Sequence, residues 1–297
     1  WLIPILTEKG ITGKDMNKIN RAEVPEMGGV AVIIGFIAGL LILFTSIEMS
    51  GSEVVISSIW FISFVVIILI SLVGIIDDII SIRQIIKALL IFLLAIPLGF
   101  YAPQDMYVPS IGTIFFGSTM IFIVPLAVTC ASNSMNMLEG FNGLGAGLGI
   151  IITISMIVMA YNSGENTALL FLMPLLGSLI AFLYYNKYPA RIFPGDTLTL
   201  FVGSVIACSS IISDLKFEGT LLMTPMIVEF FLKCRGRFEG ECFAESNENG
   251  ILKYNNRVES LTHFVMKNFT VDEKKLVHIF WSFQITLSSL IILINLN

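Results

Sequence analysis

A chain of 297 residues in which 56% are hydrophobic and only 13% are charged cannot hide its apolar side chains inside a water-soluble core. Its mean hydropathy of +0.88 makes lipid the expected solvent, and no nucleic-acid partner is expected. The net charge of −5 says little, because charge is divided between two membrane faces. The fold class predicted is therefore an all-α polytopic membrane protein.

Residues Trp1 to Leu6 are apolar but too few to cross a bilayer, which takes roughly 20 residues. They are expected to be the tail of a helix that begins upstream. Apolar runs then fall at about 28–47, 54–76, 85–101, 114–132, 144–162, 166–186, 197–214, 217–233 and 275–296. With the truncated first helix, this predicts about ten transmembrane helices in a single integral membrane domain over residues 1–297. The run at 85–101 is the shortest and ends near Pro97 and Gly99. Of the four cysteines, Cys130 and Cys208 lie in apolar runs, while Cys234 and Cys242 share a loop. None has metal-ligand spacing, so free thiols are expected.

Alternate loops hold the basic residues. Lys9, Lys14, Lys18 and Arg21 fall in one, Arg83 and Lys87 in the next, then Lys187 and Arg191. The last group runs from Lys233 through Lys253 to Lys275. Only Lys216, of the seventeen Lys and Arg, falls on the other face, beside Glu48, Glu53, Asp105, Glu165, Asp214 and Glu218. The positive-inside rule puts the basic face in the cytoplasm.

The polar motifs lie on that same face. Asp77-Asp78 follows Gly74-Ile75-Ile76, with Arg83 and Lys87 just beyond. Adjacent carboxylates repel and need a cation, Mg²⁺ or lysine, to stay ionised; a helix end with solvated charges is the plain alternative. The next loop contains Asn133-Ser-Met-Asn136 and Gly140-Phe-Asn142-Gly143. Asn133 and Asn136 share a face if helical. Gly145, Gly147 and Gly149 are explained equally well by close helix packing. A third loop, Tyr188-Pro-Ala-Arg-Ile-Phe193-Pro-Gly-Asp196, ends in a carboxylate that would otherwise be read as a helix N-cap. A long polar loop, 234–274, carries Arg235-Gly236-Arg237, suited to bidentate phosphate binding.

Together these motifs resemble the polyprenyl-phosphate N-acetylhexosamine-1-phosphate transferase family. The resemblance runs from Lys14-Asp15 and Val24-Pro25-Glu26 with Gly28-Gly29, through Asp77-Asp78 and Lys87, to the Asn-x-x-Asn loop and Asp196. Bacterial members carry a histidine cluster in the last cytoplasmic loop. This chain has only His263 and His278, and its Arg235 and Arg237 look like the arginine pair of the archaeal and eukaryotic dolichyl-phosphate enzymes. Eukaryotic members place a His between those arginines, where this chain has Gly236, so the hexosamine is not fixed by this motif.

The resemblance implies transfer of N-acetylglucosamine-1-phosphate from UDP-GlcNAc to dolichyl phosphate, with release of UMP. This would initiate a lipid-linked oligosaccharide for N-glycosylation. The same chemistry on undecaprenyl phosphate, for cell-wall or surface polysaccharide, is the alternative within the family. By motif, Asn136 and Asp196 would hold Mg²⁺, for which Mn²⁺ could substitute. Gly140, Asn142 and Phe193 would hold uracil, Phe193 by stacking, and Asn133 would join the substrate site. Arg235 and Arg237 would hold the diphosphate, so that the 234–274 loop contributes to the nucleotide-sugar site. Lys87 would contact phosphate, and Asp77 and Asp78 would orient Lys87 or the lipid phosphate, leaving open whether Asp77 also takes a proton. Glu26 matches a nucleotide-side carboxylate, although a lone loop Glu is as readily solvated. The active site would face the cytoplasm, at the plasma membrane of a prokaryote or the endoplasmic reticulum of a eukaryote; a homodimer is compatible with the resemblance.

A transporter or flippase is the competing class. Transporters place polar groups near the midplane and often contain internal repeats. Here the polar groups gather at one face and no repeat is evident. Glu229 is the clear midspan exception, and it lies four residues before Lys233, close enough to pair.

Overall fold

The computed structural model describes residues 1–51, 55–236, 242–254 and 257–296. Two short elements lead in: helix α1 (Leu2–Glu8), then the antiparallel hairpin of β1 (Thr12–Lys14) and β2 (Glu23–Pro25). Five long helices follow: α2 (Gly29–Met49), α3 (Ser58–Ile80), α4 (Gln84–Tyr101), α5 (Met120–Leu138) and α6 (Leu144–Ser163). A hairpin of β3 (Asp105–Val108) and β4 (Gly112–Phe115) joins α4 to α5. The chain continues through α7 (Asn166–Asn186), α8 (Gly195–Ile212), the short α9 (Lys216–Leu222) and α10 (Thr224–Arg235). After a two-residue hairpin of β5 (Glu245–Ser246) and β6 (Leu252–Lys253) come α11 (Leu261–Asn268) and α12 (Glu273–Asn295).

Among the described residues, eight helices are long and apolar enough to cross a membrane. Leu41, Phe61, Phe122 and Phe283 point outward, each more than half exposed. In water such a surface would aggregate; in lipid it is the solvated face. The protein is thus an all-α, multi-pass integral membrane protein.

The helix α8 is the centre of the bundle, enclosed by α2, α3, α5, α6 and α7. Its sequence has Gly and Ser where a lipid-facing helix would have Leu, and small residues let helices approach closely. A Cβ on Gly203 would lie 2.6 Å from the Ala131 carbonyl oxygen of α5, and one on Gly74 of α3 would lie 2.8 Å from Thr197 Cα. Both crossings require glycine.

Four boundaries differ from the sequence expectation. The run at 217–233 is not one helix: it breaks at Met223, where Pro225 follows and cannot donate to the preceding turn. The Leu221 carbonyl, which an N–H at position 225 would have met, accepts instead from the Thr224 hydroxyl (2.5 Å), and the next carbonyl, of Leu222, accepts from Gln284 Nε2 of α12 (3.0 Å). Asn133 and Asn136 are not in a loop, because α5 continues through Leu138. The run expected from 114 becomes helix α5 only at Met120, because Gly112–Phe115 pair with Asp105–Val108 in a hairpin. Finally, Cys234 belongs to α10, not to the loop that holds Cys242; all four cysteines are free.

Candidate active site

The last turn of α3 carries two adjacent carboxylates with different neighbours. Asp77 accepts from the Ile82 N–H (2.6 Å) and from Lys87 Nζ (2.8 Å). Asp78 accepts from the backbone N–H groups of Asp196 (2.6 Å) and Thr197 (3.1 Å) and from the Thr197 hydroxyl (2.6 Å). The first N–H groups of a helix have no partner within it, and Pro194 at the cap of α8 has no side-chain oxygen to offer. Asp78 supplies that cap from another helix. The cap reading of Asp196 is therefore corrected: Asp196 sits in the first turn, and its carboxylate is used elsewhere.

That carboxylate meets Lys87 on one oxygen and Asn136 Nδ2 on the other (2.6 Å). Asn136 also donates to the Thr199 hydroxyl (3.0 Å). Lys87 is 1% exposed and bridges Asp77 and Asp196. A lysine is buried this completely only when paired. Four helices thus deliver four polar groups to one point: α3, α4, α5 and α8.

This point forms one end of a cavity of about 450 Å³, in the range of a nucleotide-sized ligand. Its walls include Lys14, Asp15, Glu26, Asn136, Glu139, Gly140, Asn142, Phe193, Asp196, Thr199 and Phe243. The loop segments that make them are tied by backbone bonds. Phe193 donates to the Pro25 carbonyl (2.7 Å), and the Gly28 N–H donates to the Phe193 carbonyl (2.8 Å). Asn186 holds the other side, accepting from Gly143 N–H (3.1 Å) and donating to the Ile192 carbonyl (3.0 Å).

The lining is acidic. Asp15, Glu26, Glu139 and Asp196 face it against a single lining cation among the described residues, Lys14. Burial, and then the nearby charge of Asp78, push the Glu26 carboxyl above its usual range. Burial raises Glu139 to about 8, against the lowering effect of the Gly145 N–H beside it.

Of the residues singled out from sequence, Glu26, Asn136, Gly140, Asn142, Phe193 and Asp196 line the cavity, and Asp77, Asp78 and Lys87 support its Asp196 end. Asn133 is not in the wall; its amide donates to the Thr129 carbonyl inside α5 (2.8 Å). Arg235 is exposed at the end of α10 and donates to the Val258 carbonyl rather than into the cavity. Arg237 lies outside the described residues. Glu229, read from the sequence as a midspan carboxylate, lies instead in the short helix α10; it pairs with Lys233 (3.7 Å) and caps α11 through Ser260 Oγ (3.0 Å) and the Leu261 N–H (2.7 Å).

Several residues in or behind the wall were given no role from the sequence. Asp15 is 2% exposed and pairs with Lys18 and Asn142 Nδ2 (3.3 Å). Glu273 accepts from the Asn142 N–H (2.9 Å), because the neighbouring Asp272 takes the N-cap role of α12. Asn17 and Phe243 complete the rim.

A multi-pass helical bundle that gathers its carboxylates and one buried lysine at a single end is the architecture of a membrane-embedded enzyme acting on a polar substrate. The chain belongs to glycosyl transferase family 4, whose sequence profile matches residues 59–214. It is 36% identical over 292 residues to a protein of Sulfolobus acidocaldarius, covering 96% of this chain and 88% of the relative. The counterpart in Saccharolobus solfataricus is 37% identical over the same shares. Both are provisionally named UDP-N-acetylglucosamine–dolichyl-phosphate N-acetylglucosaminephosphotransferase. The Schizosaccharomyces pombe protein of that name is 28% identical over 278 residues, 77% of this chain and 61% of the relative.

Proposed function

We propose that this protein transfers N-acetylglucosamine-1-phosphate from UDP-GlcNAc to dolichyl phosphate or a similar polyprenyl phosphate, releasing UMP. The observation that carries the reading is the convergence of Asp196, Asn136 and Lys87 at one end of the cavity. The names of the archaeal and yeast relatives support the same substrates.

In this reaction an oxygen of the lipid phosphate forms a bond to the β-phosphorus of the donor. The bond between that phosphorus and the α–β bridging oxygen breaks, and UMP leaves with the electron pair. The lipid phosphate is already anionic near neutral pH, so little base chemistry is needed. The barrier is repulsion between two anionic phosphates, and preorganised positive charge at a low-dielectric boundary lowers it. Lys87 supplies one such charge, held in place by Asp77. Asp78 fixes the first turn of α8, and with it Asp196.

An anionic donor entering a wall of carboxylates also calls for a divalent cation. The groups at this end of the cavity are hard oxygen donors: the Asp196 carboxylate, the Asn136 amide oxygen and the Thr199 hydroxyl. They suit Mg²⁺ or Mn²⁺ better than zinc. No cluster of three or more His, Cys, Asp or Glu ligands occurs among the described residues. A sparse protein shell agrees with Mg²⁺, which keeps waters and substrate phosphates as ligands. Asn136 would turn its amide over to present oxygen beside Asp196. When bound, the ion would neutralise charge developing on the donor phosphates.

The acceptor's isoprenoid chain would lie in the apolar groove of about 210 Å³ between α5, α8 and the broken pair α9–α10, which includes Met120, Val124, Ile206 and Ile227. The cavity end of the bundle would face the cytoplasm, following the basic loops. Purified protein in detergent with radiolabelled UDP-GlcNAc and dolichyl or undecaprenyl phosphate tests the reading. Label in dolichyl diphosphate lipid with matching UMP release is expected. Faster transfer to undecaprenyl phosphate would move the protein to the cell-wall alternative, and no UMP with either acceptor would overturn the reading.

A further inference from the structure

Three separate stretches of chain meet at one buried amide. Asn17, in the turn between β1 and β2, is 4% exposed. Its Nδ2 donates to the Gly140 carbonyl (2.6 Å), and its Oδ1 accepts from the Ala244 N–H (3.1 Å). Its own N–H is turned back onto Asp15 Oδ1 (3.3 Å). One side chain therefore joins the loop after α5 to the segment 242–244, which follows α10.

The segment 242–244 is held from outside as well. The Thr262 hydroxyl donates to the Cys242 carbonyl (2.8 Å). His263 Nδ1 accepts from the Glu259 N–H (3.4 Å), so its proton sits on Nε2, which donates to the Phe243 carbonyl (3.2 Å). Both carbonyl contacts run to α11. Phe243 is left projecting at the rim, 37% exposed, and lines the same cavity as Gly140 and Phe193. Neither partner of the Asn17 amide bonds Asp196, whose carboxylate meets Lys87 and Asn136.

We infer that Asn17 is a positioning residue for donor binding, and that it acts by holding Phe243 beside Gly140 in the cavity wall, where a Cβ on Gly140 would lie 3.5 Å from the ring, so that the ring packs against the nucleotide sugar. The inference rests on the proposed use of UDP-GlcNAc. An amide suits the task because it donates and accepts at once from one planar group. Loss of a contact made equally in the ground and transition states raises KM and leaves kcat.

The test is a double-mutant cycle on the full chain with UDP-GlcNAc and saturating dolichyl phosphate, using Asn17→Ala, Phe243→Ala and the pair. Each single variant is expected to raise KM for UDP-GlcNAc about tenfold with kcat within about threefold of wild type. The pair should be no worse than the weaker single variant, because both changes remove one interaction. Should Asn17→Ala not fold, Asn17→Asp is read the same way, since it keeps the acceptor for Ala244 and loses the donor to Gly140. Unchanged KM in the Asn17 variant, or a pair whose effect is the product of the singles, overturns the inference alone. A wild-type protein that transfers nothing from UDP-GlcNAc overturns the proposed activity and this inference with it.

Discussion

Asp78 and Thr197 share two hydrogen bonds, one to the hydroxyl and one to the backbone N–H, across the junction of α3 and α8. The Asp-Asp pair thus divides its work. Asp77 holds a lysine, and Asp78 holds a helix.

Asp78→Ala should therefore act on structure as well as rate. Loss of a helix cap costs roughly 1–2 kcal/mol, here at the helix that carries Asp196. Expected results are a lower thermal midpoint in detergent and little or no UMP release. Asp78→Asn keeps one acceptor and should fall between Asp78→Ala and wild type in midpoint. An unchanged midpoint for Asp78→Ala would show that α8 does not depend on this cap.

Lys87→Ala should lower kcat far more than it weakens donor binding, because its charge matters most as the two phosphates are forced together. Single-turnover rates and equilibrium UDP-GlcNAc binding in one detergent separate the two effects. A large loss of affinity with an unchanged rate would assign Lys87 to ground-state binding instead.

Asp196→Ala should abolish turnover while the protein still folds, and wild-type activity should vanish in EDTA and return with Mg²⁺ or Mn²⁺. Full activity in EDTA would rule out the metal role of Asp196 and Asn136.

Glu139 offers a pH-dependent stability. Its carboxyl is raised to about 8 by burial, so the native state keeps a proton that the unfolded chain releases above the ordinary carboxylate range. Native stability from this group is intact at acid pH and declines as pH rises toward 8. Glu139→Gln removes the titration. Its thermal midpoint should match wild type near pH 5 and exceed it near pH 8. A constant difference across that range would mean that Glu139 is already ionised in the native protein.

Orientation is open to labelling. Cysteines introduced as Arg83→Cys and Lys187→Cys should react with impermeant maleimide only from the cytoplasmic side, and Asp105→Cys only from the other. Reaction of Lys187→Cys and Asp105→Cys from one side would contradict the alternation of the helices.

Most of the bundle was legible because lipid solvation imposes long apolar runs, and the basic residues mark alternate loops. The break at Met223 was not, since a single proline near the start of α10 is compatible with either a kink or a new helix. Asn133 and Asn136 looked like loop residues because amides are costly in lipid. Asn133 is instead satisfied by the carbonyl one turn back, and Asn136 by Asp196 and Thr199 of the buried α8. The motif residues around Asp196 were recognisable by their order along one face. Their division of labour was not, because which carboxylate meets Lys87 and which meets Thr197 depends on how α3 crosses α8. Asn17 and Glu273 were invisible for a related reason. An isolated polar residue in a turn, as Asn17 is, or in the first turn of a helix, as Glu273 is, reads as solvated until the segments that bury it are assembled.

Mutational maps of an enzyme are commonly interpreted by distance from the substrate, with changes deep in the lipid-embedded part assigned to folding. The glycine at position 74 complicates that reading. A methyl group there would collide with the backbone of Asp196 and Thr197, 2.9 Å from the Asp196 carbonyl oxygen and 2.8 Å from Thr197 Cα. Loss-of-function screens on this protein should therefore recover an inactive class that inserts, spans the bilayer and is expressed normally. In that class the lesion is a sideways shift of α8, inherited by every group that α8 presents to the cavity.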